Sequence, residues 1–493
     1  MSRRIRLLSL ISLIFLTVTL AGCADTNTDT NKNPLKYTLN SSGEAVITGC
    51  NADATSLTVP SQIDGHPVIS IGSGAFFNYV NLKEVIIEEG VKVIESSAFE
   101  HCTSLVSVTL PDSLESIGDS AFNTCTSLNE ISLGEHSALK NVGKLAFYGC
   151  RALEFNEFDN AKYIPKAKNA YFILYEAKDK EITSCEINSM SEIIAAEAFT
   201  ECIKLTELTV PENIKYIGDS AFKTCSKLGN IYFYAKIPDR TELNPIFEKV
   251  GSVSTPVTIT IGKNLTEIPD YLFSSIYRLV NVVFEDGTLC TSIGEGAFYN
   301  CNFLSSVTLP ASVENIGARA FEACENLQMI SLDNSSLKFI GENAFYECDS
   351  LAGVDITDKK AFCECEYENK YSSPLSNGQA VIVYNGNATS NLLLPEGITK
   401  ISANAFSGYK ELNKIIIPKS VTVIEEGAFA DCEGLSEIYY ADSSSAFSAL
   451  EIQSSNEAII DAVIYYYSST RPTVPGNFWC YINGVPGIWE NNQ

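Results

Sequence analysis

The chain has 493 residues, 45% apolar and 19% charged, with 60 acids against 34 bases and a formal net charge of −26. That apolar share supports a buried core and excludes a wholly disordered chain. The acidity excludes nucleic acid as a partner, because phosphate binding needs clustered Lys and Arg.

The N-terminus reads as an export signal. Arg3, Arg4 and Arg6 precede an apolar run over residues 7–20, which is too short for a comfortable membrane span. Leu20-Ala21-Gly22-Cys23 follows and resembles the lipobox of bacterial lipoproteins. The resemblance implies removal of residues 1–22 and lipid attachment at Cys23; the competing reading is plain signal cleavage with Cys23 incidental. On either reading the mature chain lies outside the cytoplasm. On the first it meets the membrane through its lipid anchor only, at about 0.8 kcal/mol per buried CH₂. Removing three arginines and no acid takes the charge to −29. Residues 23–35 are rich in Asn, Thr and Asp without apolar periodicity, which predicts a disordered tether. Residues 36–70 read as a strand-rich N-terminal cap with a turn at Asp64-Gly65.

From residue 71 to 440 one frame repeats. Ala-Phe recurs in it eleven times, ending on Phe76, Phe99, Phe122, Phe147, Phe199, Phe222, Phe298, Phe321, Phe345, Phe406 and Phe429. Five residues before each Phe stands Ile, or Val142 in one case, and six residues after it stands Leu without exception. A fixed period near 23 residues means stacked supersecondary units in place of one compact globule. Within a unit, Leu105, Val108 and Leu110 end in a period of two and predict a short strand that Pro111 closes. Ala121, Phe122 and Cys125 follow Gly118 at a spacing that predicts one or two helical turns, with Ile-Gly read as a turn position. A lone unit buries too little apolar surface to offset the entropy of ordering it, so the units must stack.

These residues resemble the BspA-type leucine-rich repeat, L-x-x-V-x-L-P-x-S-V-x-x-I-G-x-x-A-F-x-x-C. The resemblance implies an α/β repeat solenoid with one short strand ladder and short helical turns per coil, and a cap at each end. Elongated repeats are expected near 151–195 and 356–394, and residues 240–285 keep only the degenerate anchors Phe247 and Phe273. The segment 441–493 carries both tryptophans, Trp479 and Trp489, and reads as a C-terminal cap in preference to a carbohydrate platform.

Nine of the 16 cysteines fall three residues after the repeat Phe, among them Cys102, Cys125 and Cys150. A disulfide framework would not follow a packing period, so these read as a ladder of buried thiols. Cys50, Cys185, Cys290 and Cys480 stand outside the ladder and leave pairing open. Cys363-x-Cys365 lacks partners for a zinc site, so no metal and no cofactor is expected. His66, His101 and His136 are the only histidines, and none stands in a nucleophile or triad pattern. No catalytic residue emerges and the chain does not read as an enzyme.

What remains is surface. The residue before the last strand anchor faces outward, giving Thr109, Thr209, Tyr232, Thr308 and Tyr439, with Tyr234 and Tyr440 nearby. Good strand formers fill such positions anyway; read as a binding stripe, the tyrosines are its anchors. The leading expectation is a lipid-anchored, adhesin-like surface protein holding an extracellular protein or glycan on its solenoid face. The adhesin element comes from the resemblance alone. The alternatives are a passive scaffold presenting the C-terminal tail and, less favoured, a cell-envelope hydrolase. Oligomeric state is not readable.

Overall fold

The computed structural model describes residues 34–51, 54–241, 243–332, 336–482 and 484–489. The signal segment 1–22, Cys23 and the tether through residue 33 lie outside the described residues, and Leu35 already opens the first strand. The described chain divides into two compact units, one reaching from residue 34 to 155 with 165–170, the other of residues 156–164 and 171–489.

In the first unit, Leu35–Leu39 pairs antiparallel with Ala45–Cys50, which lies parallel to His66–Ile71. From there a ladder of two-residue strands, Val93–Ile94, Ser116–Ile117 and Asn141–Val142, runs coil to coil. A second parallel ladder joins the longer strands Ser56–Val59, Glu84–Ile87, Ser107–Leu110 and Glu130–Leu133. Leu105, Val108, Leu110, Ile117 and Phe122 point between the two ladders and are buried. Each coil therefore carries two strand ladders, not the one expected.

The second unit repeats this plan. Its longest sheet runs from Glu207–Val210 through Val257–Ile261 and Gly353–Ile356 to the hairpin Val381–Tyr384 and Asn387–Thr389. A separate sheet starts at Asn391–Leu393 and extends through Glu437–Tyr440 and Val463–Tyr467 to the hairpin Phe478–Ile482 and Val485–Ile488. The ladder thus continues past Tyr440 by a full strand before the terminal hairpin closes it.

The phenylalanines stack from coil to coil, in the second unit from Phe199 to Phe345 and again from Phe362 to Phe429. Phe99 lies 5.2 Å from Phe122 at an interplanar angle of 3°, and Phe122 lies 5.3 Å from Phe147. In the second unit the stack passes from Phe222 to Phe247 (5.3 Å), Phe273 (6.1 Å) and Phe298 (5.7 Å). The Phe stack therefore runs through residues 240–285 despite their degenerate spelling, whereas the short-strand ladder stops at Tyr216–Ile217 and restarts at Glu267–Ile268. Ile268, Leu279 and Val282 keep the frame about Phe273, and Leu272 stands where Ala is usual. Ala361-Phe362 falls outside the frame, yet its ring packs 5.7 Å from Phe406.

The helical turns expected after Ile-Gly are not what the repeats adopt. Each framed Phe sits between left-handed residues two before and two after it, such as Ser97 (φ 57°) and His101 (φ 62°) about Phe99. These conformations cost energy for non-glycine residues. Their return is a third set of inter-coil bonds: the amides of Ser97, Phe99 and His101 donate to Asp119, Ala121 and Asn123 carbonyls at 2.9, 2.7 and 2.9 Å. A helix would turn those amides back along its own coil. Ile-Gly is likewise no turn device. A Cβ on Gly218 would stand 2.3 Å from the Ala196 nitrogen, and one on Gly118 would stand 2.7 Å from the Glu95 carbonyl carbon. Close approach of successive coils is what excludes a side chain there.

The ladder cysteines are free thiols, as are all fifteen described cysteines. The Cys125 thiol donates to the Phe99 carbonyl of the preceding coil at 3.1 Å, and Cys225 does the same to Phe199. Burial pushes the Cys225 thiol up to about 12 and Cys202 up to about 11. Tyr79 and Tyr409 fill the same slot where the preceding coil lacks a framed Phe, and their longer side chains reach backbone at Cys50 and Ile382.

Candidate functional site

The outward side of the long strands is a regular surface on each unit. Side chains alternate along a strand, so every inward Leu or Val leaves its neighbours facing solvent. Parallel pairing without slippage then aligns those neighbours in columns about 4.8 Å apart.

In the first unit Thr109 is exposed, between Ile86 and Ser132 in register. Glu84 and Glu130 face outward from the same strands, so this face carries charge. The second unit differs. Thr209 pairs with Tyr232, Tyr232 with Thr260, and Thr260 with Val283; Thr308 pairs with Ser331. The adjacent column runs Asn230, Thr258, Asn281, Ser306 and Met329. Over these five strands none of the ten residues in the two columns is charged, and all but the buried Ser331 reach solvent; Glu207 and Asp355 bound the stretch. Tyr232 is half-buried, while Thr209, Asn281, Val283, Ser306 and Thr308 are exposed.

Tyr234 lies just beyond its strand. Its hydroxyl donates to Glu285 at 2.9 Å, and the ring occupies the space where Gly262 has no side chain. Burial and that carboxylate both raise its pKa.

Tyr439 and Tyr440 need correction as surface anchors. Tyr439 is only 2% exposed: Trp479 meets it edge-on at 5.6 Å and Tyr465 stacks on it at 5.0 Å. Its hydroxyl donates to Glu437 at 2.9 Å while Lys414 sits 4.8 Å above the ring. Tyr440 takes an inward position, 3% exposed, in the core of its unit. The Trp479 indole N–H donates to the Tyr440 carbonyl at 2.9 Å, so the terminal hairpin covers this end of the strand face.

Thr258 and Thr260 belong to the uncharged columns although their coil lacks Ala-Phe. The signal for them was present in the alternation Val257-Thr-Ile-Thr-Ile261. No group of His, Cys, Asp and Glu able to hold a metal occurs among the described residues, and no helix among them is long and apolar enough to cross a membrane. His66, at the start of its strand, bonds to the Gly43 carbonyl, and His101, in a turn, bonds to the Thr124 hydroxyl.

Comparison with known proteins gives one family. The profile of the BspA type leucine-rich repeat region matches in six copies, over residues 36–172, 175–286, 244–372 and 356–459. Among solved structures, a leucine-rich repeat protein from Bacteroides ovatus ATCC 8483 is 20% identical, with 86% of this chain and 99% of that chain covered and a TM-score of 0.38. A leucine rich cell surface protein from Faecalibacterium prausnitzii A2-165 is 24% identical, covering 87% of this chain and 98% of its own, with a TM-score of 0.29. The T. pallidum leucine-rich repeat protein is 22% identical over 55% of this chain and 88% of its own, with a TM-score of 0.21. Superpositions this loose carry no weight beside the repeat profile. No curated protein matches.

Proposed function

Because the chain belongs to the BspA-type leucine-rich repeat family, we propose that it is a bacterial surface protein, lipid-anchored at Cys23, that binds an extracellular macromolecule on the outward strand face of its second unit. The observation that carries this reading is the uncharged patch from Asn230 and Tyr232 to Thr308 and Met329, in a chain of net charge −26. A surface kept clear of like charge can approach an extended protein or glycan without repulsion. Its rows of Thr, Ser and Asn supply donors and acceptors at strand spacing, and Tyr232 supplies the one aromatic anchor. An adhesin is the use this surface suits best.

The test is capture from host and bacterial surface material by residues 36–493, with Thr260→Arg/Thr308→Arg as the comparison. Both positions face outward, so the substitutions leave the core untouched. Each ligand captured by the unmodified protein should lose at least tenfold in affinity. Ligands held equally well by the double variant would place binding elsewhere, and capture lost on deleting the terminal hairpin alone would favour the scaffold alternative. Palmitate labelling of whole cells should disappear in Cys23→Ala; retained label refutes the anchor.

A further inference from the structure

A cleft of about 590 Å³ opens in the second unit where the long sheet gives way to the sheet starting at Asn391. It is an open cleft, with Ala311, Thr357, Leu393 and Pro395 of its lining exposed to solvent. Ala311, Leu393 and Pro395 give it apolar walls, and Thr357 and Asp358 bring polar groups to its edge. Lys359, the first residue of the helix Lys359–Glu364, lies half-buried in the lining. Its ammonium sits 4.0 Å from the centre of the Tyr384 ring and donates to the Leu393 carbonyl at 3.0 Å.

Lys359 stands apart from most lysines of this acidic chain. Lys140, Lys215, Lys338 and Lys414 each meet a carboxylate of the neighbouring coil within 2.7 Å. Lys359 meets none among the described residues. An ammonium has three donors, and only one is committed to an oxygen. A half-buried cation held by a ring face and one carbonyl is incompletely solvated, and burial lowers its pKa accordingly.

Asp358 decides what kind of anion fits. One of its oxygens accepts the amides of Lys360 and Ala361 at 2.8 and 3.0 Å, which caps the helix. The other is free to accept from hydroxyls. Phosphate or sulfate, charged on every side, would be repelled by this carboxylate. A ligand with a carboxylate at one end, hydroxyls at the other and C–H faces between satisfies Lys359, Asp358 and the Leu393–Pro395 wall together.

We propose that this cleft binds a carboxylated sugar, with the sugar carboxylate on the Lys359 ammonium and ring hydroxyls on Asp358. The site is separate from the uncharged strand face and does not depend on it. The probes are D-glucuronate, a glucuronate-terminated oligosaccharide, D-glucose and inorganic phosphate, followed by NMR or calorimetry on residues 36–493. Glucuronate should bind at least tenfold more tightly than glucose, and phosphate should not compete. Lys359→Met should abolish the preference, and Asp358→Asn should weaken glucuronate while letting phosphate in. If the oligosaccharide binds better than the monosaccharide, the source is a glycan end; equal binding assigns the free sugar acid. The proposal is overturned if glucuronate and glucose bind alike, if neither binds, or if phosphate displaces glucuronate. Those outcomes need no variant, so misfolding of Lys359→Met would not shield it. Capture by the strand face should be unaffected by Lys359→Met, which separates failure here from failure there.

Discussion

Replacing Phe122 by Ala probes the central stack most directly. The ring is fully buried and lies almost parallel to Phe99 and Phe147, at 5.2 and 5.3 Å. Truncating a buried Phe to Ala costs about 3–5 kcal/mol. Two stacked partners, each contributing about 0.5–1.5 kcal/mol beyond area, place this site toward the upper end. Phe77 is the control, since its side chain is 50% exposed on the same unit, and Phe77→Ala should cost no more than about 1 kcal/mol. Because a coil touches only its neighbours, the damage should stay local. Urea denaturation would give the loss of stability. Hydrogen exchange would show the amides of Phe99, Phe122 and their neighbours opening sooner, while those about Phe298 keep their protection. A loss near that of the Phe77 variant, or equal deprotection around Phe298, would refute a continuous stack with nearest-neighbour coupling.

Two further predictions concern the ladders. Gly218→Ala places a methyl 2.3 Å from the Ala196 nitrogen; the coils must separate, and the urea midpoint should report a loss of about 2–3 kcal/mol. No loss would mean that coil spacing is soft. The thiols give a pH dependence. Cys202, Cys225 and Cys432 are raised by burial from 9.0 to about 11, 12 and 12. The folded state therefore keeps protons that the unfolded state releases above pH 9, so stability is full below pH 9 and falls as pH rises through 9 to 12. Melting temperatures from pH 7 to 11 should show that decline, shallower in Cys225→Ala. A flat profile would refute the burial of ionisable thiols.

The sequence by itself determined the repeat, its period and which residues turn inward. Only stacking can bury a Phe, a Leu and an Ile that recur every 23 residues in coils too small to fold alone. It determined the outward columns for the same reason, since alternation along a strand is a local property. It did not determine the backbone at Ala-Phe: Ala121, Phe122 and Cys125 have helical spacing, and the left-handed residues Ser120 and Thr124 are tolerated only because their amides reach the next coil. Nor could local patterning separate Thr308, which stays exposed, from Tyr439, which a hairpin forty residues later covers with Trp479. The Lys359 cleft is tertiary in the same sense. Its ammonium comes from the start of a short helix, the Tyr384 ring and the Leu393 carbonyl from the ends of two strands, and no spacing in the chain announces that they meet. Period and polarity are written locally; exposure and unmet charge depend on which distant segment arrives.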